Sequence, residues 1–314
     1  MENFLLVGEK VIYLVILIAC GILIKKLKLI SDKGIEDLSK ILVDFFWPAL
    51  IFYQITSSLN AENIINNISL PLFAIITGVT GYILGFIFVK IFRYQDNVKI
   101  IFLYNSTINN FVFMVIPFVV IFFPENGLGL LFIHNIGYIF IIWTLGVSIF
   151  QGEFNIKKSL TGLVNPGFIT TLAATAITLV GINKFIPKLL LDGINTMGGP
   201  TLAIAMIVVG ARIYNLGMNA IKFNLNNLLI AFNRLILIPF VLFLLSYLLK
   251  DFFPKEVIGI FMIVNVMPVS VISVSMAIRY NSDPDLAAQH VVSNHLISIL
   301  TIPVYIMLIK HFLL

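Results

Sequence analysis

Ten apolar stretches divide the chain, each near the roughly 20 residues a helix needs to cross a bilayer. They run over about 8–25, 36–58, 69–91, 98–122, 128–150, 164–182, 190–212, 225–249, 256–279 and 284–310. The connections are short and leave no room for a soluble domain, so the pattern predicts an all-α membrane protein with ten transmembrane helices. Prolines interrupt the apolar runs, and the interruptions recur. Pro48 and Pro117 lie 69 residues apart and Pro200 and Pro268 lie 68 apart, so residues 1–152 and 153–314 read as two five-helix repeats. An odd number of crossings per repeat inverts the second relative to the first. With an offset near 152, Trp47-Pro48-Ala49-Leu50 falls on Gly199-Pro200-Thr201-Leu202, and Pro117 falls within a residue of Pro268. In secondary transporters of this build, the substrate site lies at the breaks.

Composition agrees with the pattern. The 314 residues are 60% apolar and 11% charged, against about 25% charged in soluble domains. The net charge of +5 is spread over loops and forms no basic domain, so no nucleic-acid partner is expected. Lys and Arg instead report topology. Thirteen fall on one side of the ten segments and six on the other, which places both termini outside. Leu17-Ile18-Ala19-Cys20 resembles a lipoprotein cleavage site, but Glu2 and Glu9 with a single Lys10 make a poor basic start, and a plain buried cysteine is the expected role of Cys20.

Segment four carries Asn105, Ser106, Thr107, Asn109 and Asn110 ahead of Pro117; segment nine carries Asn265, Pro268, Ser270 and Ser273. Such groups are costly against lipid, and freed backbone at membrane depth is tolerated only inside protein or beside water. Two breaks facing each other would surround a cavity with amides and carbonyls, and a half-helix N-terminus would offer positive potential to an anion. Ordinary proline kinks with back-bonded serines are the alternative. Asp44 and Arg234 are ionisable residues within spans. Asp44 reads as a proton site or an interfacial residue. Arg234 reads as a partner for a substrate carboxylate or an acidic side chain, or as a side chain reaching back to the interface. His134 and His295 are candidate path or proton sites. Gly81 and Gly85 suit close helix packing.

Sequence signatures of an enzyme are absent: there is no His-Glu-x-x-His, Gly-x-Ser-x-Gly, phosphate loop or cysteine cluster. No cofactor or metal is expected. His290 and His295 point about 140° apart on a helix and make a poor metal pair. Without a nucleotide-binding domain, transport must draw on an ion, voltage or substrate gradient.

Asn109-Asn110-Phe111 through Ile116-Pro117, Met267-Pro268, and Tyr280-Asn281 followed by Asp283-Pro284-Asp285 resemble the motifs of the auxin efflux carrier family, in its short bacterial form. The likeness covers nearly the whole chain, including Trp47-Pro48-Ala49-Leu50. Val115 stands where the family has glycine, and Ser273 where plant members have a second proline. The resemblance implies two inverted five-helix repeats with helices four and nine broken and crossed. It implies a scaffold of helices 1, 2, 6 and 7 with mobile helices 3–5 and 8–10, elevator-type alternating access and a homodimer. It implies small organic anions as substrates, auxin-like or malate-type carboxylates, with H+ or Na+ as a candidate coupling ion. Asn110, Pro117 and Pro268 are the site residues it carries over; Asn105, Asn109, Asn265 and Ser270 are added from polarity and position. A sodium-coupled organic anion symporter of the bile acid type shares the plan, and a channel or ligand sensor is the reading from another class. Composition rich in Ile, Asn, Phe and Lys fits an AT-rich genome and hence a bacterial inner membrane.

Overall fold

Helix starts follow capping residues written in the chain. Ser31, Asn165, Asn224 and Asp283 each accept a hydrogen bond from the backbone N–H three residues on. Pro166 and Pro284 occupy first-turn positions, where a missing N–H costs nothing. The computed structural model describes residues 13, 16–112, 114–152, 165–216 and 224–314. The start of the first predicted segment, the connection holding Lys157 and Lys158 with the predicted repeat boundary, and Lys222 lie outside the described residues.

Every regular element among the described residues is a helix, and no strand occurs among them. In chain order the helices are α1 (16–26), α2 (Asp32–Ser58), α3 (Leu70–Ile91), α4 (Asp96–Thr107), α5 (Ile116–Phe122) and α6 (Gly127–Gln151). They continue as α7 (Pro166–Leu179), α8 (Lys188–Asn215), α9 (Leu225–Leu249), α10 (Lys255–Asn265), α11 (Ile272–Arg279) and α12 (Pro284–Phe312). Among the described residues six segments are long and apolar enough to cross a membrane: α2, Ala61–Ile91 (which contains α3), α6, α8, α9 and α12. The predicted fourth and ninth segments are each split into two short helices, α4/α5 and α10/α11. α7, at 14 residues, is a short apolar helix.

The four repeating prolines do different things. Pro268 lies inside a break. Pro117 lies beyond one, in the first turn of α5, and so begins a helix rather than interrupting it. Pro48 interrupts nothing: α2 runs through it, with a π turn at Leu42–Phe46 just upstream. Pro200 sits in a turn within α8, and that turn packs on the Pro48 region, where Thr201 Oγ1 donates to the Phe46 carbonyl at 3.2 Å. Val115 has helical angles (φ −76°, ψ −29°), so nothing at that position demands glycine. Cys20, expected to be buried, is exposed on α1. The turns that sequence did not foresee are three π turns, Leu42–Phe46, Ile142–Gly146 and Asn233–Leu237. Asp44 sits in the first and Arg234 in the last. Such turns swing side chains off the regular helical stripe and concentrate at functional places.

α3 packs along both α4 and α6, and α2 along α7 and α8. The expected close packing at Gly81 and Gly85 is present: both lie against Ser106 of α4, and a Cβ at Gly81 would meet the Ser106 carbonyl. A backbone oxygen cannot swing aside as a side chain can. Gly81→Val is therefore expected to lower stability by about 1–3 kcal/mol, read as a fall in the thermal midpoint of the purified protein. An unchanged midpoint would mean that α3 is free to move away from α4.

Candidate functional site

Two chain breaks meet. After α4 the backbone becomes extended at Ile108, and Asn109 forms an antiparallel bridge with Val269 in the break between α10 and α11. The Asn110 N–H donates to the Pro268 carbonyl at 2.7 Å, and the Ser270 N–H donates to the Ile108 carbonyl at 3.3 Å. Each unwound stretch thus supplies the partners the other lost on leaving the helix, which is what buried backbone requires. Pro268 explains why α10 ends here: it has no N–H to give, and it drives the preceding residue out of the helical region. Side chains tie the same place together. Asn109 Nδ2 donates to the Val264 carbonyl at 2.6 Å, while Asn265 Nδ2 donates back to Phe261 in its own helix at 2.8 Å. Ser270 Oγ accepts from the Ile272 N–H at 3.3 Å, at the start of α11.

Arg234, on α9, is fully buried behind this crossing. Its Nη2 donates to the Asn265 carbonyl at 2.6 Å and its Nε to the Met267 carbonyl at 3.2 Å. Its Nη1 lies 3.5 Å from the Ser106 carbonyl, near the end of α4. Arg234 does not reach an interface, and its hydrogen bonds go to main-chain carbonyls rather than to an acidic side chain. The guanidinium instead satisfies carbonyls that helix ends leave without partners.

α12 and the turn before it run beside α4 and the break after it in steady register, as three pairs each 185 residues apart record: Ser282 with Asn97, His290 with Asn105, and His295 with Asn110. His295 Nδ1 donates to the Val291 carbonyl at 2.8 Å, so Nε2 is left to accept from Asn110 Nδ2 at 3.3 Å. His290 Nδ1 lies 3.0 Å from Asn105 Nδ2, and its Nε2 lies 3.3 Å from Asn226 Nδ2. A neutral imidazole carries one N–H and one acceptor. One of the two amides must therefore turn its oxygen to the ring, and both oxygens lack another partner. Asn294, between the two histidines, is fully buried with neither amide atom partnered. His134 lies on α6 with Nδ1 at 3.4 Å from Asn135 Oδ1.

A cavity of about 270 Å³ opens beside the crossing. Its walls come from α2 (Trp47, Ile51), the first break (Phe111, Val112), α6 (Phe132, Asn135, Trp143), the start of α7 (Pro166, Thr171) and α11 (Ile272, Met276). The aromatic wall is braced: Phe111 stacks on Tyr138 with centroids 4.5 Å apart, and Trp47 meets Phe132 edge-on at 5.2 Å. Asn135 Nδ2 donates to the Phe111 carbonyl at 3.4 Å, joining α6 to the break. Asp44 is exposed and lines this cavity, and no lysine or arginine does. A largely apolar hollow with a few fixed polar groups is what a small ligand with an apolar body requires.

The model of the family described as Membrane transport protein matches residues 6–158 and 153–306. The chain belongs to this family, the auxin efflux carriers. An uncharacterized transporter of Methanocaldococcus jannaschii is 24% identical over 306 residues, covering 95% of this chain and 97% of its own. In this member of the family Asn109, Asn110, Asn265, Pro268 and Ser270 gather at the crossing, with His295 bonded to Asn110. Asn105 stands one turn earlier on His290. Pro117 is buried past the break. His134 stands elsewhere, on α6, and Asp44, in the π turn of α2, lines the adjoining cavity. Sequence reasoning missed the links through His290, Asn226 and Ser106, and the aromatic wall of Trp47, Phe111, Phe132 and Trp143. A constant offset between polar residues of segments four and ten was the available signal for the first; nothing in the sequence marks the second, because aromatic residues fill every segment.

Proposed function

We propose that this membrane transporter is a secondary carrier of small organic anions, in which the crossing and the adjoining cavity form the substrate site. The observation that carries the reading is that one cavity is walled both by Phe111 of the first break and by Ile272 at the start of α11 beyond the second. The apolar, aromatic wall accepts a flat hydrocarbon body. Asn135 and the N-terminal end of α11, where a helix dipole is positive, receive a carboxylate. With Asp44 lining the cavity and no cationic side chain to offset it, a second carboxylate is disfavoured by like-charge repulsion. Auxin-like monocarboxylates therefore fit this lining better than malate-type dicarboxylates.

The same reading retains the ten-helix plan of two inverted repeats. Predicted helices 1, 2, 6 and 7 are the scaffold and helices 3–5 and 8–10 the moving part, the protein being a homodimer in a bacterial inner membrane. Movement of one part against the other exposes the cavity alternately to each side, driven by an H+ gradient or by voltage.

Flux into proteoliposomes, measured across a panel of mono- and dicarboxylates with pH, Na+ and voltage set independently, tests this. Saturable uptake with a preference for aromatic monocarboxylates is expected. Asn110→Ala should lower flux per affinity about tenfold, the equivalent of roughly 1.4 kcal/mol, because it removes the amide that joins the crossing to His295. Flux that never saturates would make the protein a channel. Binding without flux would make it a sensor.

A further inference from the structure

Two helix C-termini converge on one buried positive charge, and no acidic side chain takes part in its hydrogen bonds. Arg234 donates to the Asn265 carbonyl at the last residue of α10, to Met267 just beyond it, and to Ser106 in the last turn of α4. Each helix C-terminus carries about half a negative elementary charge, so the two ends together offset the guanidinium. Bare carbonyl oxygens grouped around a point of negative potential are the ligand set of hard monovalent cations, the same arrangement by which carbonyls replace an ion's hydration shell in ion-binding proteins. Further oxygens stand close in sequence: Asn265 Oδ1 and Asn233 Oδ1 are buried without partners. Asn233 Nδ2 donates to Ser106 Oγ at 2.8 Å, so this amide too faces the end of α4.

We propose that the Ser106, Asn265 and Met267 carbonyls form a latent cation site at the crossing, filled permanently by the guanidinium of Arg234. The charge a mobile ion would bring is covalently attached to α9. A bound alkali cation in the same place would be redundant and would meet strong repulsion, so the crossing holds together without one. Removing the guanidinium empties the site and leaves oxygen ligands that a small monovalent cation, or free guanidinium, can use. This inference concerns the crossing itself and does not depend on which substrate occupies the neighbouring cavity.

Thermal unfolding of the full-length protein in detergent, titrated with NaCl, KCl or guanidinium chloride against choline chloride at fixed ionic strength, decides it. The wild-type midpoint is expected to be the same in all four salts at low millimolar concentration. Arg234→Ala is expected to melt several degrees lower in choline and to recover much of that loss, saturably, in Na+, K+ or guanidinium. Arg234→Lys, whose ammonium supplies the charge from the chain, is expected to fold and to ignore Na+, which keeps the test decisive if the alanine variant does not fold. A saturable Na+ stabilisation of the wild type, or of Arg234→Lys, would overturn the proposal. So would an alanine variant that folds and responds alike to all four salts.

Discussion

Arg234→Met is expected to destabilise the protein by about 3–5 kcal/mol, because the cost of stranding several buried carbonyls exceeds the desolvation it relieves. Two effects oppose each other. Methionine relieves the desolvation of a guanidinium that is fully buried. It also leaves the Asn265, Met267 and Ser106 carbonyls without donors, and each stranded buried acceptor costs about 1–3 kcal/mol. The second effect wins because three acceptors are stranded together and main-chain oxygens pinned at helix ends cannot turn toward water. Unfolding in graded denaturing detergent, with helix content as the signal, measures the loss. A methionine variant as stable as the wild type would show that waters replace the guanidinium without cost, and the crossing would then not depend on Arg234 for cohesion.

The second large effect is on transport. Pro268→Ala is expected to reduce flux at least tenfold while the protein still inserts and folds. Proline in a helix interior is disfavoured by about 3 kcal/mol relative to alanine, and at this position that penalty keeps α10 from running on into α11. Alanine supplies an N–H and lifts the restriction on Met267. The stretch that now pairs with Asn109 and Asn110 can then wind up, and the carbonyl that accepts from the Asn110 N–H at 2.7 Å turns into a helix. Losing a penalty of roughly 3 kcal/mol shifts the ratio of paired to wound molecules toward the wound form by more than a hundredfold, against about tenfold for each 1.4 kcal/mol. Initial rates in proteoliposomes, normalised to inserted protein, report the outcome. Wild-type flux from Pro268→Ala would mean that the extended pairing, rather than the proline, holds the break open.

Much of the frame is legible from hydropathy. The predicted segment 225–249 coincides with Leu225–Leu249, and 128–150 lies within a residue of Gly127–Gln151 at each end. The splits in segments four and nine were foreseen from asparagine and proline inside apolar runs. Proline alone was a poorer guide. Pro48 leaves its helix continuous and Pro117 starts one, because a proline only forbids a hydrogen bond and neighbouring residues decide whether the chain breaks, bulges or begins anew. Arg234 shows the other boundary. Its place in an apolar segment flagged it as special, but the partners that fix its role are main-chain carbonyls, and those carry no sequence signature.

The chain by itself determined that this is a helical membrane protein, where most helices start and end, and that two of its apolar segments carry polar, proline-bearing interruptions. Those outcomes follow from local quantities: the length of apolar runs, capping side chains and the missing proline N–H. Only the tertiary structure decided that Asn109 pairs with Val269, that Arg234 closes the ends of α4 and α10, and that aromatic side chains from α2, the first break and α6 wall one cavity. These are contacts between residues far apart along the chain, set by which helix faces pack together, and a hydrogen bond to a carbonyl can be made by any residue that the packing brings within 3 Å or so.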